Sequence, residues 1–162
     1  MIRNISCKLL PGKKKFFLRK KGGEQLSTQV QLMTKDTGRY IKAKALIDSG
    51  CTGCAIDRDF VNKHKINRER LPHKVKVLNA DGTENSSGRI THHAELIMQM
   101  GKKHREEMDF GITKLDDHDI FLGYDWLMEH NPEIIAVFRN VVTRGITRNI
   151  TRKRLKMKTI IS

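Results

Sequence analysis

Two tripeptides in this chain could carry carboxylate chemistry, Asp36-Thr37-Gly38 and Asp48-Ser49-Gly50. An acid followed by a small hydroxyl residue and a glycine can hold its carboxylate at a tight loop. Two such carboxylates sharing a proton can activate a water, one acting as base while the other donates to a peptide carbonyl. The tripeptide alone decides little, because the same residues make ordinary turns. The lead-in separates the two copies. Asp48 follows Ala45-Leu46-Ile47, an apolar run suited to a buried strand, whereas Asp36 follows Met33-Thr34-Lys35 and precedes Arg39-Tyr40. Asp36 therefore reads as a hairpin turn and Asp48 as the candidate acid. Too few residues separate them to build a lobe around each, so the second carboxylate must come from a second copy of the chain.

Other chemistries find less support. Cys51-Thr52-Gly53-Cys54 matches C-x-x-C but lacks the βαβ setting of a redox motif. As half of a zinc site it lacks a second pair, and Cys7 and the seven histidines show no ligand spacing. These thiols read as structural, and no metal or cofactor is expected. His92 and His93 lie on an expected strand, where neighbouring side chains face opposite ways. No G-x-S-x-G, H-E-x-x-H or phosphate loop occurs. Trp126 reads as a core anchor.

The elements that must position Asp48 are mostly strands. Thr28 to Met33 alternates polar and apolar, and Arg39 to Ile47 alternates again before turning fully apolar, which describes a hairpin whose second strand enters the core. Asp57 to His64 suits a short helix, and Val75 to Leu78 another strand. Asn79-Ala80-Asp81-Gly82-Thr83 is a tight-turn sequence. Ile90 to Met100 and Glu106 to Ile112 read as strands joined at Gly101-Lys102-Lys103. Ile120-Phe121-Leu122-Gly123 precedes a short helix from Tyr124 to His130, with Asp125 as candidate N-cap and Pro132 closing it. Short strands separated by turns indicate an all-β, barrel-like domain.

A chain of 162 residues suits one domain. The net charge of +14 is segregated: residues 1–23 and 139–162 each hold eight Lys/Arg and no acid, while the middle is nearly neutral. The expected organisation is a basic N-terminal linker over 1–26, the domain over 27–142 and a basic tail over 143–162. Such ends suit weak, sequence-independent RNA or DNA binding, or are simply solvated. No apolar run approaches the ~18 residues of a membrane span. The N-terminus lacks a secretory pattern, and three cysteines fit a reducing compartment. The expectation is a cytoplasmic or nuclear setting without membrane contact.

Between about Thr28 and Ile134 the sequence resembles the retropepsins, and most closely the protease of gypsy-class long-terminal-repeat retrotransposons. Ala45 through Gly53 is similar to the family's active-site loop and Asp59-Phe60-Val61 to the segment after it. Asn79 through Thr83, returning through Gly88-Arg89-Ile90, is similar to the flap. Asp119 through Leu127, with His130-Asn131-Pro132-Glu133-Ile134, resembles the second signature. The resemblance implies a closed acid-protease barrel with a flap hairpin and one short C-terminal helix, active as a homodimer on a polyprotein.

Residue by residue, the resemblance makes Asp48 the general acid/base and Ser49 a hydroxyl that bonds across the dimer. Gly50, Cys51 and Thr52 complete the loop, Cys51 standing where the family most often has alanine. Ala80, Asp81, Gly82 and Thr83 would cover an extended peptide, and Ile120, Phe121, Leu122 and Gly123 would pass behind the active-site loop. Ile135 to Val142 departs from the family's sequence and can form a terminal hairpin turning at Arg139-Asn140. The alternative reading is a retropepsin fold kept as a binding or assembly module without turnover, with basic nucleic-acid-binding ends.

Overall fold

The computed structural model describes residues 15–18, 26–48, 50–79, 81–102, 104–130, 132–137 and 140–146. In chain order the elements are β1 (Lys15–Leu18), β2 (Leu26–Thr34), β3 (Tyr40–Ile47), β4 (Ala55–Asp57), α1 (Arg58–Lys63), β5 (Glu69–Asn79), β6 (Ile90–Met100), β7 (His104–Thr113), β8 (Ile120–Leu122), α2 (Tyr124–His130), β9 (Pro132–Val137) and β10 (Asn140–Ile146). The order β2-β3-β8-β4-β7-β6 closes on itself, because Gln31–Thr34 of β2 also pair antiparallel with Leu96–Gln99 of β6. Closure leaves these six strands without an open edge. The result is a mostly β, retropepsin-like barrel with one short helix after β8.

Alternation in β2 and β3 sends Val30, Leu32, Ile41 and Ala43 inward to the barrel core. The turn between them is the Asp36 copy of the tripeptide. Asp36 is exposed, Gly38 has φ +67°, and the Gly38 amide donates to the Thr34 carbonyl at 2.9 Å. Only glycine takes that φ without strain.

The unbroken apolar run Ala45-Leu46-Ile47 has a simple cause: both faces of β3 are covered at its end. Ala45 and Ile47 face the barrel core, while Leu46 faces a second cluster with Cys51, Ala55, Val75, Val77, Ile90, Leu115 and Phe121. β8 splits the same way, with Ile120 and Leu122 in the barrel core and Phe121 in the second cluster. Fully burying one such side chain contributes roughly 1.5–3 kcal/mol.

Three expectations change. β5 begins at Glu69, well before Val75, and its register against β6 shifts between Arg70 and Val75. Pro72 lies in that interval, and a proline that cannot donate to a ladder belongs at such an irregularity. Asp125 is not the N-cap of α2 but lies in its first turn. The Tyr124 amide is held by the Cys51 carbonyl at 2.7 Å, and the Leu127 amide takes the Gly123 carbonyl at 3.1 Å, so the helix starts earlier. A strand, β1, also occurs within the stretch read as linker. It pairs parallel to β5, from Lys15↔Lys76 to Leu18↔Asn79.

α1 matches its sequence reading closely. Asp57 caps it by accepting the Phe60 amide at 3.1 Å, and also accepts the Leu115 amide at 2.9 Å. β9 and β10 pair antiparallel from Asn140↔Val137 outward, and β10 touches β2 at Asn140↔Ser27. None of the helices among the described residues is long and apolar enough to cross a membrane.

Candidate active site

Asp48 sits where β3 leaves the barrel, and it is nearly buried at 7% exposure. Its backbone amide donates to the Leu122 carbonyl at 3.0 Å, which extends the parallel β3–β8 pairing of Ala45↔Ile120, Leu46↔Phe121 and Ile47↔Leu122 by one step. The loop then folds back on the carboxylate. The Gly50 amide donates to Asp48 Oδ1 at 2.8 Å, and the Cys51 amide to the Asp48 carbonyl at 3.2 Å. Cys51 Sγ lies 3.8 Å from Asp48 Oδ2, a weak thiol donor contact.

β8 lies between the strand that enters this loop and the strand that leaves it, since Phe121 registers with both Leu46 and Ala55. Beyond β8, the loop carbonyls of Cys51 and Thr52 accept the Tyr124 and Asp125 amides at 2.7 and 3.3 Å. Gly123 is the closest approach. A Cβ there would collide with the Gly53 carbonyl and fall 2.8 Å from the Cys51 carbonyl oxygen. Ile120, Phe121, Leu122 and Gly123 thus form the support of the Asp48 loop. Cys51 and Cys54 are buried free thiols in different clusters, Cys51 beside Val75 and Val77 and Cys54 in the barrel core.

The hairpin after β5 is closed by the Asn79 amide on the Thr83 carbonyl (2.8 Å) and the Gly82 amide on the Asn79 carbonyl (2.9 Å), with Gly82 at φ +86°. Asp81 Oδ1 accepts the Thr83 amide and hydroxyl at 3.0 and 2.6 Å. Asp81, Gly82 and Thr83 are exposed at the tip. Through Val75 and Val77 the base of this hairpin shares a cluster with Cys51 of the Asp48 loop. Ser49 and Ala80 lie outside the described residues, as do most of both basic ends.

One polar group escaped the sequence reading. Glu106 is fully buried in β7, where it meets His104 from its own strand and Trp126 and His130 from α2. Trp126 Nε1 donates to Oε1 at 2.6 Å, and His104 Nε2 lies 2.9 Å from the same oxygen. His130 Nε2 is 2.7 Å from Oε2. Burial alone would raise the Glu106 pKa. The contacts from His104, His130 and Trp126 outweigh burial and hold it at about 2. Among the described residues, His104, Glu106 and His130 also bring their ligand-type atoms within 4.8 Å of one another, close enough to surround a metal ion. The cluster ties α2 to the barrel wall behind the Asp48 loop.

A closed β-barrel, a nearly buried acid at the end of β3, an apolar strand paired behind the loop that follows and a hairpin based against that loop fit a retropepsin-like domain. A family model described as the PEG10/RTL1 protease domain matches residues 44–144, well over half of the chain. The chain belongs to this family of retropepsin-like domains from gypsy-class retrotransposon-derived genes.

Proposed function

We propose that this protein is an aspartic endopeptidase that works as a homodimer, with Asp48 from each copy flanking one water. The observation that carries the reading is the Asp48 loop: a nearly buried acid at the end of β3, held by the Gly50 amide and backed by β8 through the Leu122 carbonyl. A single acid cannot be both base and proton donor at once, so the reaction needs two copies. One carboxylate takes a proton from the water while the other donates to the scissile carbonyl. The hairpin tip, Ala80 to Thr83, closes over an extended peptide, orders it by backbone hydrogen bonds and excludes bulk water. The substrate is a polypeptide, most simply the polyprotein that carries the domain. Digestion of a peptide library at several enzyme concentrations tests the reading. Cleavage that rises faster than linearly with enzyme supports it, and a folded dimer that cleaves no library peptide refutes it.

A further inference from the structure

The flap strand β5 has two edges, and they are occupied differently. Towards the tip, one edge is taken by its own hairpin: the Asn85 amide donates to the Val77 carbonyl at 2.8 Å, Leu78 bridges Glu84, and the Asn79 amide donates to the Thr83 carbonyl. On the other edge, over the same residues, lies β1. Lys15, Phe16, Phe17 and Leu18 register in parallel with Lys76, Val77, Leu78 and Asn79. This edge ends at the flap tip, and its strand shares a hydrophobic cluster with Cys51 of the Asp48 loop. An exposed strand edge beside a tip is where an extended peptide adds as a further strand.

We infer that Lys15–Leu18 is a tethered occupant of the peptide-binding edge of the flap strand, and that this edge takes extended peptides with a short apolar run flanked by basic residues. The sequence of the occupant supplies the chemistry. Phe16-Phe17-Leu18 is the one apolar run within a stretch whose flanks are Lys13-Lys14-Lys15 and Arg19-Lys20-Lys21. At the flap, exposed Glu84 ion-pairs with Lys76, the register partner of Lys15, and with Arg89, at 3.4 and 3.9 Å. β1 lies outside the closed barrel, so releasing it leaves the barrel's own pairing intact. Because the occupant is attached, it competes at the effective concentration of a short tether, in the millimolar range. Any added peptide must displace it, so apparent affinity is the intrinsic affinity multiplied by the fraction of molecules whose edge is empty.

The inference rests on the protease reading for the meaning of the groove, but binding can be measured without turnover. The probe is a fluorescent peptide of sequence Gly-Lys-Lys-Lys-Phe-Phe-Leu-Arg-Lys-Lys-Gly, copied from residues 12–22. Anisotropy titrations use the full chain carrying Asp48→Asn, with and without Phe16→Pro and Phe17→Pro together. Adjacent residues of a strand aim their amides at opposite edges, so the double substitution removes whichever one donates to β5. The expected result is binding at least about fivefold tighter to the double-proline chain. Faster amide exchange at Lys76 and Leu78, whose amides face β1, should accompany it, with an unchanged melting temperature. Equal affinities, no binding to either chain, or unchanged exchange at Lys76 and Leu78 would overturn the inference. Failure of the protease reading is separately visible as absence of hydrolysis by the chain with Asp48 intact.

Discussion

Gly123 and Gly53 meet backbone to backbone, so closely that a single methyl group on Gly123 would overlap the Gly53 carbonyl. This contact lets the junction between β8 and α2 press against the far side of the Asp48 loop. The obstacle is main chain rather than a flexible side chain, so neither partner can yield without moving the loop.

Gly123→Ala should therefore cost roughly 3 kcal/mol of stability, towards the upper end of overpacking substitutions. It should also remove activity even under conditions where the chain remains folded. Chemical denaturation alongside a peptidase assay checks both. A variant as stable and as active as the parent would mean that the loop and α2 can separate freely.

Glu106 provides a pH signature of stability. Its folded pKa of about 2 lies below the ordinary value of 4.5. The contribution of its contacts is thus fully present above about pH 4.5 and is lost as pH falls through the folded value, on the order of 3 kcal/mol in all. Glu106→Gln should destabilise the chain near neutral pH and flatten this part of the acid limb. The partners His104, Trp126 and His130 keep their buried donors but lose the carboxylate. Thermal melts of parent and variant between pH 2 and 7 measure the difference, and parallel curves would contradict the assignment.

How legible this was in the sequence depends on the separation of the partners. The Asp48 loop was readable because a run apolar on both faces precedes it, and the structure explains that run by two clusters, one on each side of β3. The Asp36 copy was readable as a turn from its polar lead-in. The Glu106 group was not readable by spacing, since β7 and α2 meet only through barrel closure. A signal was nonetheless present: Glu106 stands in phase with Met108, Phe110 and Ile112, so a carboxylate falls at a core position of its strand. β1 was hidden by the lysines around it, which gave the whole stretch the composition of a linker.

Activity should depend on the square of enzyme concentration when dimers are scarce and become linear once they are saturated. The reason is that each chain supplies one Asp48. Initial rates across the dissociation range, with sedimentation in parallel, test this. A monomer with full, concentration-independent turnover would remove the shared-water mechanism.

The most direct measurement is peptide hydrolysis by parent, Asp48→Asn and Asp36→Asn chains, each at a concentration where sedimentation shows dimers. Asp36 is exposed in a turn, where its Oδ1 accepts the neighbouring Thr37 amide at 2.9 Å. Asp48 is nearly buried at the end of β3. The account expects hydrolysis to fall by about 10³-fold or more in Asp48→Asn with the fold retained. It expects a change of less than about twofold in Asp36→Asn. Undiminished hydrolysis by the folded Asp48→Asn dimer would contradict it.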